Sequence, residues 1–230
     1  MGLGTEQPVF TLETFRFFRQ LKRNNHKDWM DANRARYQAC VVKPFRRLLE
    51  ETTPCILEID ERFDVCGKMG KNFSRINRDI RFAKDKTLYK PQMYLKFQLP
   101  CPAEQENGQL YVALTVDCVT AGFRIYSGST RRDSKLAMIA VPRVTQNPQW
   151  VTEQKRRLGR RYESYWYENY NGEWTKRPGW PSDPNHWKRI RAWIVRRKMV
   201  PEWATNCTFT RDLGKLWKEL YPLLKFTSIP

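Results

Sequence analysis

Apolar residues recur at helical spacing from residue 11 to residue 61. Thr11 is a candidate N-cap, and Leu12, Phe15, Phe18 and Leu21 fall on one helical face before Asn24-Asn25 stops the run. Trp29, Asn33 and Tyr37 share the face of a second helix, at i, i+4 and i+8. Pro44 sits where a third helix begins, and Phe45, Leu48, Leu49 and Ile56 give that helix an apolar stripe with a kink expected at Pro54.

From Asn72 the period shortens to two. Met93, Leu95, Phe97 and Leu99 alternate with Tyr94, Lys96 and Gln98, and Leu110, Val112, Leu114, Val116 and Cys118 alternate with their own neighbours. Both runs predict half-buried antiparallel strands, joined by a polar connection that ends in the turn signal Asn107-Gly108. Ala121 to Tyr126 extends them into a meander, with a bend at Gly122. Beyond Thr130 the pattern returns mainly to helix. Asn147-Pro148 marks a start and Arg156-Arg157-Leu158-Gly159 an end, and Tyr162 to Tyr170 can form a strand. Asn171 to Pro184 reads as a long loop before a helix from about Asn185 to Arg197. A last amphipathic helix, Asp212 to Leu224, aligns Leu213, Leu216, Leu220 and Leu223. The expected architecture is α+β in a single domain over 1–230. It comprises a helical layer at 11–61, the sheet at 72–127 and a mixed, mainly helical part at 130–230, with C-terminal helices packed on a mostly antiparallel central sheet.

Composition narrows the classes. At 230 residues and 40% hydrophobic content the chain can bury one sizeable core. No apolar run is long enough to cross a bilayer, and Met1 to Thr11 lacks the pattern of a signal peptide, so a soluble, cytoplasmic protein with no membrane partner is the expectation. Cysteines 40, 55, 66, 101, 118 and 207 are irregularly spaced and only His26 and His186 are available, which argues against a zinc site or disulfide framework. No metal or cofactor is called for. The charge is a stronger signal: 42 Lys and Arg against 24 Asp and Glu give a net of +18, which points to a polyanionic neighbour, with nucleic acid the leading macromolecule.

The candidate chemistry lies in Arg75-Ile76-Asn77-Arg78-Asp79-Ile80-Arg81-Phe82-Ala83-Lys84-Asp85-Lys86-Thr87-Leu88-Tyr89. Read as a strand, it sends Arg75, Asn77, Asp79 and Arg81 to one face and Arg78 among apolar neighbours, where it needs a carboxylate. Arg75, Arg78, Arg81 and Lys86 offer donors to a phosphate or carboxylate, Asp79 and Asp85 can orient the guanidinium groups, and Tyr89 adds a hydroxyl. The opposing view is a salt-bridge network that only holds the fold.

The spacing R-x-x-R-D-x-R-F followed by D-K-x-x-Y resembles the signature of domain of unknown function 2461, a mostly bacterial family with fungal members. The stretch from Phe10 through Asn24-Asn25, Trp29, Asn33, Tyr37 and Pro44 is similar to that family's opening. The resemblance implies one domain of about this length and carries no activity, cofactor or partner. Leu88 stands where the family pattern usually has a proline.

Three functions therefore stay open. The first is a domain that binds an anionic, phosphate-containing ligand at the motif and engages nucleic acid through its basic surface. The second is a metal-dependent phosphoryl-transfer or nuclease-like enzyme built on Asp79, Asp85, Lys86 and a strand-borne Asp117. The third is a protein-interaction module with a structural motif. Gly67-Lys68-Met69-Gly70-Lys71-Asn72 lacks the glycine spacing and the Ser/Thr of a phosphate loop. All tryptophans except Trp29 lie from Trp150 onward among many arginines and lysines. Of these, Trp187 and Trp193 read as core together with Ile190 and Ile194, and Trp174 and Trp180 read as exposed. Oligomeric state is not encoded in any of these patterns.

Overall fold

The computed structural model describes residues 7–81, 83–100, 107–127, 135–170 and 173–228. The fold is α+β, as the pattern predicts: helices at the N-terminus, a six-stranded antiparallel sheet, and a long C-terminal helix. The strands are β1 (Met93–Gln98), β2 (Gln109–Leu114), β3 (Val119–Tyr126), β4 (Glu163–Tyr170), β5 (Glu173–Pro178) and β6 (Ile190–Met199), hydrogen-bonded in the order β1-β2-β3-β6-β4-β5. The expected meander is the first half of that order. By internal contacts the chain forms two compact units, one of Met1–Phe97, Val112–Ala121 and Lys198–Leu216, the other of Gln98–Tyr111, Gly122–Arg197 and Trp217–Pro230.

In the first unit, α1 (Leu12–Arg23) buries Phe15, Phe17, Phe18 and Leu21. Thr11 precedes it in extended conformation without a side-chain cap, and Asn24 ends it. The predicted second helix is two short ones, α2 (Lys27–Ala32) and α3 (Arg34–Tyr37), because Asn33 leaves the helical conformation between them and its amide donates to the Trp29 carbonyl at 2.9 Å. The chain then runs through a π turn, Gln38–Val42, into α4 (Lys43–Ile59), with Pro44 in the first turn and Pro54 inside. The buried Thr14 hydroxyl donates to the Cys40 carbonyl in that widened turn at 2.6 Å. Phe10 packs edge-on against both Phe45 and Phe209, at 5.0 and 5.9 Å between ring centres.

The second unit holds α5 (Lys135–Gln146), α6 (Gln149–Leu158), the short α7 (Pro184–Arg189) and the end of α8 (Phe209–Ser228). Trp193 is its packing centre, with Phe123, Trp180 and Trp187 edge-on at 5.2 to 5.6 Å. The indole N–H of Trp187 donates to the Pro181 carbonyl, and that of Trp193 to Ser164, so neither ring is buried with a bare donor.

Further expectations change. Val116 and Cys118 do not continue β2: the chain turns at Thr115–Cys118, where the Thr115 N–H donates to the Cys118 carbonyl at 2.9 Å. Lys96 and Gln98, expected to face water, are buried with their apolar neighbours. The helix over 185–197 ends at Arg189, and Ile190–Met199 form strand β6 between β3 and β4. Ile190, Ala192, Trp193, Ile194 and Val195 are all buried, and an apolar run buried on both faces fits a central strand as well as a helix face. Asn171 to Pro184 is not all loop, because β5 pairs antiparallel with β4 from Tyr165↔Pro178 to Tyr170↔Glu173. β5 is exposed at every position, so no apolar alternation betrays it. The link at 101–106, including Cys101, and the start of the third region at 128–134 lie outside the described residues, as do Asn171 and Gly172.

Gly122 does not serve a bend. A Cβ there would lie 2.2 Å from the Val195 carbonyl oxygen and 2.6 Å from the Arg196 Cα, so only a bare backbone lets β3 and β6 come this close. Gly122→Ala is expected to cost about 3 kcal/mol or more, because the obstacle is backbone that cannot rotate away. Urea unfolding of the variant checks this.

Candidate anion-binding site

The motif begins on an edge. Asn72, buried, donates from its amide to the carbonyls of Asp64 and Lys96 and accepts from the Gly67 N–H, so it ties the preceding loop to β1. The Ser74 N–H donates to the Tyr94 carbonyl and the Tyr94 N–H to the Ser74 hydroxyl, at 3.1 and 3.0 Å. These bonds place Arg75 next to the start of β1. Gly70 (φ +88°) lies under the Arg75 side chain, where a Cβ would stand 3.6 Å from Nε.

After Arg75 the chain is not the predicted strand. Among the described residues its one ladder contact is an isolated bridge between Asn77 and Tyr89, made by Arg78 N–H to Leu88 carbonyl (2.8 Å) and Lys90 N–H to Ile76 carbonyl (2.7 Å). The competition comes from the aspartates, which bond their own backbone two residues on: Asp79 accepts from the Arg81 N–H and Asp85 from the Thr87 N–H. Leu88 contributes its carbonyl to the bridge, an atom that a proline at this position would keep, so the pairing does not depend on the leucine side chain. The expected alternation survives as exposure. Arg75, Asn77, Asp79 and Arg81 are exposed, and Ile76 is buried.

The far end is clamped by an amide. Asn25 donates from Nδ2 to the Tyr89 carbonyl and accepts the Tyr89 N–H at Oδ1, both at 2.8 Å. Tyr89 is itself buried.

Arg75, Arg78, Arg81 and Lys90 line a cleft of about 630 Å³, together with Asp79, Ser74, Asn77, Ile80, Gly70 and Tyr94. The carboxylates are matched to particular cations. Asp79 holds Arg81 through both oxygens, at 2.9 Å to Nε and 2.7 Å to Nη2, and Asp85 holds Arg78 at 2.5 Å, with Thr87 on the same Nη1 at 2.9 Å. Among the described residues Arg75 has no hydrogen-bond or ion-pair partner, nor has the Lys90 ammonium. Arg78 uses only Nη1, which leaves its Nε and Nη2 without partners among the described residues.

Of the sequence-predicted residues, Arg75, Arg78, Asp79 and Arg81 meet at the cleft. Asp85 acts behind Arg78, Lys86 donates to the Ile80 carbonyl at 3.0 Å, and Tyr89 is a buried anchor, so these three do not line it. Phe82 lies outside the described residues. Lys90 and Tyr94 were missed. Tyr94 had a signal, as an outward position of the alternating β1, whereas Lys90 follows the motif with no spacing of its own to mark it. Asp117, expected on a strand, lies in the turn between β2 and β3 and pairs with Arg19 at 3.8 Å. Among the described residues no three His, Cys, Asp or Glu side chains gather in one place, so Asp79, Asp85 and Asp117 do not form a shared ligand set.

The sequence profile of the conserved hypothetical protein family DUF2461 matches residues 13–226. The chain belongs to this family. No curated protein sequence matches it. The DUF2461 match takes in the helices, the cleft and nearly all of α8, and no helix among the described residues is long and apolar enough to cross a membrane. Family membership gives a relationship without a chemistry, so the function has to be argued from the cleft.

Bonds from Arg81 hold the Asp79 carboxyl below its ordinary range, and bonds from Thr87, then Arg78, do the same for Asp85. Carboxyls lowered in the folded state keep their pairs above the ordinary carboxylate range of about 3.9 and lose them as pH falls through the lowered values. The loop should therefore keep its order down to about pH 4 and loosen below it, read as faster amide exchange at Arg81 and Thr87. Asn25→Ala, which leaves the Tyr89 N–H and carbonyl without their partner, is expected to cost about 1–3 kcal/mol in urea unfolding and to speed exchange across the motif at neutral pH.

Proposed function

We propose that this protein binds a small phosphate-bearing ligand in the cleft between Gly70 and Tyr94. The observation that carries the reading is the uneven matching of charge: the motif's acids pair with Arg81 and Arg78, and Arg75 and Lys90 stand at the cleft without partners among the described residues. An unpaired guanidinium held over a glycine offers a fork of N–H donors that fits a phosphate or carboxylate bidentately, and a nearby ammonium adds a point charge. Arg78, fixed through one nitrogen, presents the rest of its fork without having to be ordered on binding. A volume of about 630 Å³ falls within the range of small-molecule sites. Four cationic side chains against one carboxylate on the lining favour a ligand with more than one negative charge.

Titration calorimetry with inorganic pyrophosphate tests this. Binding is expected to weaken about tenfold or more in Arg75→Gln, since a bond to a charged partner contributes about 1.5–3 kcal/mol, and to weaken further when Lys90→Gln is added. Arg16→Gln, on an exposed face of α1, should leave it unchanged. Equal binding by the wild type and the Arg75→Gln, Lys90→Gln pair, or no binding by the wild type at low salt, contradicts the reading. A folded Arg78→Ala, Arg81→Ala protein that no longer binds supports a ligand role for the motif, and one that unfolds supports a structural role.

A further inference from the structure

In the second unit, aromatic rings and cations interleave on one face of the sheet. Partners in register share a face, so Tyr167 of β4 lies beside Lys176 of β5, and Asn169 beside Trp174. On the other side of β4, Glu163 is in register with Arg196 and Tyr165 with Ile194 of β6. The cations sit on the rings. The Lys176 ammonium is 4.1 Å from the centre of Tyr165, the Arg196 guanidinium 5.1 Å from the same ring, and the Arg124 guanidinium 4.4 Å from Tyr111 and 5.8 Å from Tyr126. Tyr165 and Tyr167 meet edge-on at 5.9 Å. The Tyr165 hydroxyl is pushed up to about 12, mainly by burial, and it feels Tyr111, Tyr126 and Tyr167 as neighbours.

The ring contacts from β4 and β6 to α7 come from the alternate positions, Trp166 on His186 and Trp193 on Trp187. The tyrosine face is therefore the one turned from α7. It is open at its two ends, where Tyr126 is 43% exposed and Trp174 58% exposed, and closed between them, where Tyr111 and Ile194 are buried. Among the described positions of β4, β5 and β6 on this face Glu163 is the one acid, and it is paired with Arg196.

We propose that this face, from Tyr126 to Trp174, is a stacking platform for single-stranded nucleic acid. Sequence composition alone offered only an aromatic and basic C-terminal half, whereas the register brings particular rings and cations together. Bases stack on exposed ring faces whatever their identity, and the cations between the rings follow the phosphates. An acidic peptide would match the lysine and arginines equally and would leave the rings without a role. The cleft of the first unit is a separate site, and neither proposal needs the other.

Fluorescence anisotropy of the full chain with a labelled oligothymidylate of about twelve nucleotides tests the platform. Binding is expected at about 50 mM salt and should fall steeply as salt rises. Trp174→Ala and Tyr126→Ala, both at exposed positions, should each weaken it about fivefold or more without moving the urea midpoint. Lys176→Gln should reduce the salt slope by about one, and Arg75→Gln should change nothing. Several results overturn the proposal: no binding at low salt, ring variants that bind like the wild type, a duplex bound as tightly as the single strand, or displacement by polyglutamate as effective as by unlabelled oligothymidylate. Loss on Arg75→Gln with silent ring variants also overturns it and places the oligonucleotide in the cleft.

Discussion

A chain with 42 basic and 24 acidic side chains cannot give each cation a carboxylate, so the fold decides where the excess of 18 is left. At most positions the surplus stands on solvated faces, where water and counterions screen it. At the motif the distribution is structured. Asp79 takes Arg81 and Asp85 takes Arg78, each through a carboxylate that also bonds its own loop, and Arg75 and Lys90 are left at a cleft. The aspartates thus do two things with one side chain: they replace a strand ladder by a self-bonded loop, and they set which guanidinium groups are occupied.

That loop can be irregular because both its ends are fixed elsewhere. Asn72 and Ser74 bond it to β1 at the start, and Asn25, from the turn between the first two helices, holds Tyr89 at the end. The N-terminal helices serve the cleft through one amide side chain, and that amide satisfies both polar atoms of one backbone residue. The Asn24-Asn25 pair looks in the sequence like a mere helix stop. Asn24 is the stop, and Asn25 is the clamp.

Much of the architecture was legible where apolar residues keep a helical or a strand period. The stripe Leu12 to Leu21, the alternation Met93 to Leu99 and the leucines of the last helix all predicted the elements they form. The strand Ile190–Met199 was hidden because burial on both faces erases the period that distinguishes strand from helix, and Glu173–Pro178 because an edge exposed on both faces has no apolar period at all. The motif was read correctly as a concentration of paired charge and incorrectly as a strand. Its alternation of Ile and charged residues is real, but the short acceptor side chains at Asp79 and Asp85 compete for the backbone N–H groups that a ladder would use. Lys90 escaped because its place at the cleft is set by the Asn77–Tyr89 bridge, which has no sequence period, and Tyr94 because its alternation marks an outward position without marking the Ser74 bonds that bring it to the cleft.

The site depends on an arginine left open while its neighbours are occupied. Side-chain 15N NMR of the arginine Nε–H groups, recorded while inorganic phosphate is added to the folded protein, addresses that directly. The Arg75 resonance is expected to move first and furthest, with Arg78 following and Arg81 least affected because Asp79 already holds its fork. Shifts spread evenly over surface arginines, with Arg75 no different from the rest, would contradict it.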